Sequence, residues 1–194
     1  MIEKRCIQRY LHSICSSVIL VITLFVLLSC ENERQREIRK VLHSFMESTV
    51  VIPDTLLKIE DGVEQNAIIK NDDSPVLVIY FSRTNCHACS INNLENYRSL
   101  YELSMKESSF DVMTIFSPYQ ANNSNIRKLL LEKEIEFPVF IDAENVMECQ
   151  GVIPSASKYH IFLLSPEGKP IFVGNPYVSE RVLNKFLKIA SKYN

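Results

Sequence analysis

Two cysteines three positions apart, Cys86 and Cys89, carry the clearest capacity for chemistry in this chain. They close the stretch Val76–Cys89, VLVIYFSRTNCHAC. A gap of two residues lets one thiol close on the other, so the pair can cycle between dithiol and disulfide. The thiolate is the attacking species in that exchange. Its pKa falls at a helix N-terminus, where unpaired N–H groups and the positive end of the dipole face it. Zinc binding is a second chemistry open to such a pair, but it needs about four ligands. The sequence offers no second Cys-x-x-Cys and no His-x-x-x-His to complete them. Two inert core cysteines are the third option.

The elements around the pair favour exchange. Val76-Leu77-Val78-Ile79-Tyr80-Phe81 is an unbroken β-branched and aromatic run after Pro75, the pattern of a strand buried on both faces. Ser82–Asn85 ends it, and helical spacing follows Cys89. That helix is predicted to run to about Lys106, with Leu94, Tyr97, Tyr101 and Met105 as its inward stripe. Strands are expected over Phe110–Phe116, Phe137–Asp142, His160–Ser165 and Lys169–Gly174, the last two joined as a hairpin across Pro166-Glu167-Gly168. Helices are expected over Ile126–Lys133, with caps among Asn122–Asn125, over Glu144–Cys149 before Gly151, and from Ser179 with Val182, Leu183, Phe186, Leu187 and Ala190 facing inward.

The strand–CxxC–helix unit resembles the thioredoxin superfamily, and more narrowly its membrane-tethered TlpA/ResA-like redoxins. The resemblance spans roughly Pro75 to the C-terminus. It implies an α/β thioredoxin-like fold: a central mixed sheet with helices on both faces, a strand–helix insertion, and an N-terminal β/helix extension. It also implies a thiol–disulfide oxidoreductase whose partners are protein thiols and disulfides, with no cofactor and no resident metal. Cys86, first and nearer the loop, is expected to be the more exposed nucleophile, and Cys89, inside the helix, to resolve the mixed disulfide.

The chain departs from the family pattern at several places. The place of the family's cis-proline, facing the CxxC, falls on Tyr159, and the nearest proline is Pro154. Pro154–Tyr159 therefore reads as a reworked substrate loop. The place of the buried acid six residues before the first Cys holds Tyr80, and the usual Trp before it is Asn85. Two histidines could substitute in tuning the cysteines. His87 lies between them, where an imidazolium would lower a thiolate pKa, and His160 begins the hairpin. Cys149 reads as a buried structural thiol. A copper-handling protein of the Sco kind, with Cys86, Cys89 and His160 as Cu(I) ligands, and a redox-inactive binding module with this fold are the alternatives. Arg83 stands where a peroxidase would need Thr.

The first residues read as targeting, not fold. Lys4, Arg5 and Arg9 precede an apolar Val18–Leu28, and Leu27-Leu28-Ser29-Cys30 is similar to a bacterial lipobox. Residues 1–29 are thus expected to be a lipoprotein signal peptide, with Cys30 lipidated. The apolar core is short against the ~20 residues of a membrane span. Residues 30–49 are a charged tether and an amphipathic helix with Ile38, Val41, Leu42, Phe45 and Met46 on one face. Residues 50–194 form the thioredoxin-like domain, with 50–74 as its extension and short strands expected at Val50–Ile52, Leu56–Ile59 and Ala67–Ile69. The expected location is the cell envelope, outside the cytoplasm, with Glu31 after the lipid favouring the outer membrane.

Composition agrees with a folded domain: of 194 residues, 46% are hydrophobic and 23% charged. The net charge of −2 excludes an electrostatic case for nucleic acid. Without residues 1–29 the chain keeps 18 basic and 22 acidic residues, a net −4, and four cysteines: Cys30, Cys86, Cys89 and Cys149. One CxxC pair and one odd thiol beside a lipidated cysteine do not make a disulfide-stapled scaffold.

Overall fold

The computed structural model describes residues 33–69, 73–133 and 135–193. The expected signal peptide and Cys30 lie outside them. The chain divides after His43 into two units, and the sheet lies wholly in Ser44–Asn194. Helix α1 covers 33–46. At its end Phe45 is buried, edge-on to the Phe162 ring with centroids 5.2 Å apart, whereas Met46 is 43% exposed and leaves the predicted stripe.

Seven strands form one mixed sheet: β1 Thr55–Glu60, β2 Val63–Ile68, β3 Val76–Phe81, β4 Asp111–Phe116, β5 Val139–Ile141, β6 Ile161–Leu164 and β7 Pro170–Val173. Their order is β2-β1-β5-β4-β3-β6-β7. β3, β4 and β5 run parallel, and the β1–β2 and β6–β7 hairpins add antiparallel edges. The helices are α2 His87–Asn92, α3 Arg98–Glu107, α4 Asn123–Glu132, α5 Val146–Cys149 and α6 Glu180–Ala190.

The period-2 alternation of β3 sorts the core into two faces. Leu77, Ile79 and Phe81 join a cluster with residues of α2, α3, α4 and α6; Val78 and Tyr80 join one with Phe45, Val50 and Met147. Strands β3, β4 and β5 step in one direction across the sheet, so crossovers of one hand carry α2–α3 and α4 to the same face. Among the described residues the opposite face receives the short α5, the end of α1 and the segment around Val50. Helices thus flank both faces, unequally.

Several local expectations need correction. Val50–Ile52 is not a strand: the Val50 N–H bonds the Gly168 carbonyl at 2.9 Å, and the Gln150 side-chain amide pairs with both the N–H and the carbonyl of Val51. The helix after Cys89 is not continuous. Asn93 ends α2, its side-chain amide donating to the Cys89 carbonyl at 2.8 Å, and a 3-10 turn at Leu94–Tyr97 leads into α3. The break rotates the inward face, so Leu100 and Tyr101 are buried while Met105 is 74% exposed. The Tyr101 hydroxyl donates to the Pro138 carbonyl and accepts from the Thr114 hydroxyl, contacts of a packing residue. α4 starts three residues earlier than expected, with the asparagines inside it and no side-chain bond from Asn122.

Candidate redox site

The parallel strands set the place of the site. Segments that follow the carboxyl ends of parallel strands gather at one edge of the sheet. Here these are Ser82–Cys89 after β3, Ser117–Asn122 after β4 and Asp142–Cys149 after β5. The segment before β6 returns to the same edge, because β6 is antiparallel to β3 with Ile161 opposite Ile79.

The loop that presents the cysteines is a tight turn. The Asn85 N–H donates to the Ser82 carbonyl at 3.0 Å, and the Ser82 hydroxyl donates to Asn85 Oδ1 at 2.9 Å. Cys86 is the residue before the first turn of α2, and its carbonyl accepts the Ser90 N–H at 2.9 Å. Cys86 and Cys89 are joined by a disulfide, with Cα atoms 5.3 Å apart. Both are exposed, so exposure does not single out Cys86 as expected. What distinguishes it is its position, ahead of the helix and on the loop.

His87 is not solvated, and burial disfavours its imidazolium form. It is buried, its ring 5.7 Å from that of Phe116, and its Nε2 donates to the Ser82 carbonyl at 3.0 Å. Burial holds its pKa below the ordinary histidine value, against the opposing effect of the carbonyl contacts, so the neutral ring is favoured. The Nε2 bond ties the ring to the start of the cysteine turn. His160 is also buried, and lies edge-on to the Tyr80 ring at 5.3 Å. Its Nε2 donates to the Pro154 carbonyl at 2.9 Å, burial again disfavours the charged form, and Nδ1 is buried without a partner. The structure therefore commits His160 to Tyr80 and Pro154.

The reworked loop is ordered by that contact. Ser157–Tyr159 form a 3-10 turn, Tyr159 is buried, and Lys158 lies over its ring at 4.8 Å. Every described peptide bond is trans. Among the described residues no three His, Cys, Asp or Glu side chains are grouped to hold a metal ion. The Cu(I) ligand set of Cys86, Cys89 and His160 is thus not assembled. Cys149, expected to be buried, is an exposed free thiol. The four-residue α5 turns its Met147 into the core instead.

One site residue escaped the sequence reading. Glu148, from α5, accepts the Tyr80 hydroxyl at 2.7 Å, and its other oxygen lies 3.4 Å from Arg83 Nε. The carboxylate thus reaches the tyrosine that occupies the place of the family's acid. Burial and the neighbouring carboxylates keep the Tyr80 phenol neutral far above its ordinary range. No local signal could have found this contact, since Tyr80 and Glu148 are 68 residues apart.

The strand order, the hairpin beside β3 and the CxxC at its carboxyl end form one arrangement. The fold is thioredoxin-like. No family model and no curated protein matches the chain. Solved structures similar to it include an uncharacterized thioredoxin-like protein from Porphyromonas gingivalis, at 14% identity and TM-score 0.46, covering 74% of this chain and 92% of that one. A protein from Chlorobium tepidum, proposed to be the thiol:disulfide interchange protein DsbE, is 15% identical with TM-score 0.48 over 74% of this chain and 98% of its own. The thioredoxin domain of a Bacteroides vulgatus thiol-disulfide oxidoreductase is 16% identical with TM-score 0.41, over 74% and 98%.

Proposed function

We propose that this chain is a thiol–disulfide oxidoreductase, held outside the cytoplasm by lipid on Cys30. The observation that carries the reading is the exposed Cys86–Cys89 disulfide on the loop leaving β3, a parallel strand paired on both sides. In the reducing direction the Cys86 thiolate attacks one sulfur of a substrate disulfide. The substrate S–S bond breaks, one substrate thiolate leaves, and a mixed disulfide forms. The Cys89 thiolate then attacks Cys86 Sγ, releases the second substrate thiolate and closes the Cys86–Cys89 bond. Two electrons pass to the substrate, and the two protons of the dithiol end on its thiols. Run backwards, the same steps oxidise a substrate dithiol.

Supporting the anchor are Lys4, Arg5 and Arg9, the short apolar run and the Leu-Leu-Ser-Cys ending at Cys30. No helix among the described residues is long and apolar enough to cross a membrane. The outer membrane is the location we favour, from Glu31.

The test is insulin-disulfide reduction by the full chain in a nonionic detergent. Cys86→Ala abolishes turnover, whereas Cys89→Ala accumulates mixed disulfides visible on non-reducing gels. Full activity in both variants refutes the assignment. Labelled palmitate should enter wild type and be absent from Cys30→Ala; equal labelling of the two removes the anchor.

A further inference from the structure

The contact between α5 and the cysteine loop joins two opposite charges, and one of them stands three residues ahead of Cys86. We propose that Arg83 and Glu148 act as a charge pair that sets how readily Cys86 ionises, Arg83 promoting the thiolate and Glu148 restraining it. The inference rests on the oxidoreductase reading in taking Cys86 as the attacking thiol. Both are positioning residues: they act on the sulfur through their fields, not by touching substrate.

The geometry holds the two charges in defined places. Asp142 is 2% exposed and accepts the N–H groups of Val146 and Met147 at 3.0 and 2.9 Å, which fixes α5. Tyr80, in β3 and 2% exposed, donates its hydroxyl to one oxygen of Glu148. Arg83 meets the other oxygen and lies 5.7 Å from the centroid of the Tyr119 ring. Arg83 lies inside the turn closed by the Asn85 N–H and the Ser82 carbonyl, which leads directly into Cys86.

The other ionisable groups around the loop are the same in every variant compared, so their fields cancel from the comparison. His87 below it and His160 behind Tyr80 are buried and favour their neutral forms. The Tyr80 phenol stays protonated. Asp142 is occupied by Ser117 and the first turn of α5. Lys158 rests over the Tyr159 ring, and Glu144 lies on the exposed turn ahead of α5.

Three residues of backbone span at most about 10 Å, and the charges are taken at about that separation from the sulfur. A unit charge at that distance from an exposed sulfur changes an ionisation constant by a factor of about 2–3. The sign separates the pair from a merely structural contact. Loss of Arg83 removes a cation and lowers the thiolate fraction. Loss of the Glu148 charge removes an anion, frees Arg83 from its partner, and raises that fraction. A contact that only braced the loop would move Cys86 the same way in both variants.

The experiment measures the rate of iodoacetamide alkylation of Cys86 against pH. It uses the reduced full chain in detergent, with Cys89→Ser and Cys149→Ser in the background so that Cys86 is the reacting thiol of the domain; Cys30→Ser removes the remaining thiol of any unprocessed mature segment, and the thiols ahead of it are read separately by peptide mapping. Below the thiol pKa, Arg83→Gln should react about 2–3-fold more slowly than this parent and Glu148→Gln about 2–3-fold faster. Arg83→Lys should restore the parent rate. Shifts of the same sign, or equal rates in all variants, overturn the charge pair. Insulin reduction is run in parallel on the same charge variants with both cysteines intact. Opposed alkylation shifts without insulin reduction uphold the pair and count against the oxidoreductase; reduction with unshifted alkylation overturns the pair alone.

Discussion

Acidification should destabilise this domain before its carboxylates titrate, through His87 and His160. Both rings are buried, both spend Nε2 on a backbone carbonyl, and burial holds both below the ordinary value of 6.5. Protonating His160 would add a donor at Nδ1, which is buried and has no acceptor. The folded-state pKa values are depressed, so below 6.5 the unfolded chain binds more protons than the folded one. Stability is full above 6.5 and falls as pH drops toward each folded-state pKa. From pH 7.5 to 5.5 each histidine can cost up to about 1.4 kcal/mol, and the two together up to about 2.7 kcal/mol. Against a domain stability of roughly 5–15 kcal/mol this is a large share. With urea m-values of about 1–3 kcal/mol per molar, the midpoint should fall by about 1 M. The assay is urea unfolding of the oxidised protein at the two pH values, so no thiol titrates in the window. His160→Gln should retain about half of the pH dependence. A wild-type midpoint that does not change, or a His160→Gln variant with the full wild-type dependence, would refute the reasoning.

Two further outcomes test the packing that holds the site. Phe162→Ala empties a fully buried position against Phe45 and should cost about 3–5 kcal/mol in thermal or urea unfolding; a loss below 1 kcal/mol would mean that this face of the sheet carries little of the core. Gly168→Ala would place a Cβ 2.6 Å from the Val50 carbonyl oxygen at φ +79°, whereas Gly151→Ala at φ +66° meets nothing within 4 Å. The second should cost only the left-handed backbone, about 1–2 kcal/mol, and the first clearly more; equal midpoints would show that the Val50 segment yields.

Local pattern carried the fold a long way. The apolar run Val76–Phe81 could only be a strand with both faces covered, and it is the strand onto which β4 and β6 pair. The turn at Pro166–Gly168 made a hairpin of the last two strands, and Ser179 opens α6 by accepting the Val182 N–H. The CxxC at the end of β3 was equally legible, because its meaning depends on adjacent residues alone. Where the reading failed, the cause was competition from another part of the chain. Val50–Ile52 has strand composition, but Gln150 and Gly168 take its hydrogen bonds. The stripe through Met105 is a sound 3.6-residue pattern, but the Asn93 side chain interrupts the helix and turns the face.

What the sequence determined by itself is therefore most of the strands and helices and the place of the cysteine pair: side-chain period and turn residues act over a few positions and need no partner. The surroundings of that pair were decided in three dimensions. Whether His87 is wet or buried, whether Cys149 is hidden or exposed, and which acid approaches Tyr80 depend on how α5 and the segment before β6 meet the carboxyl end of β3. Those meetings join residues as far apart as Tyr80 and Glu148, and they follow from the packing of whole faces, which no window of neighbouring residues encodes.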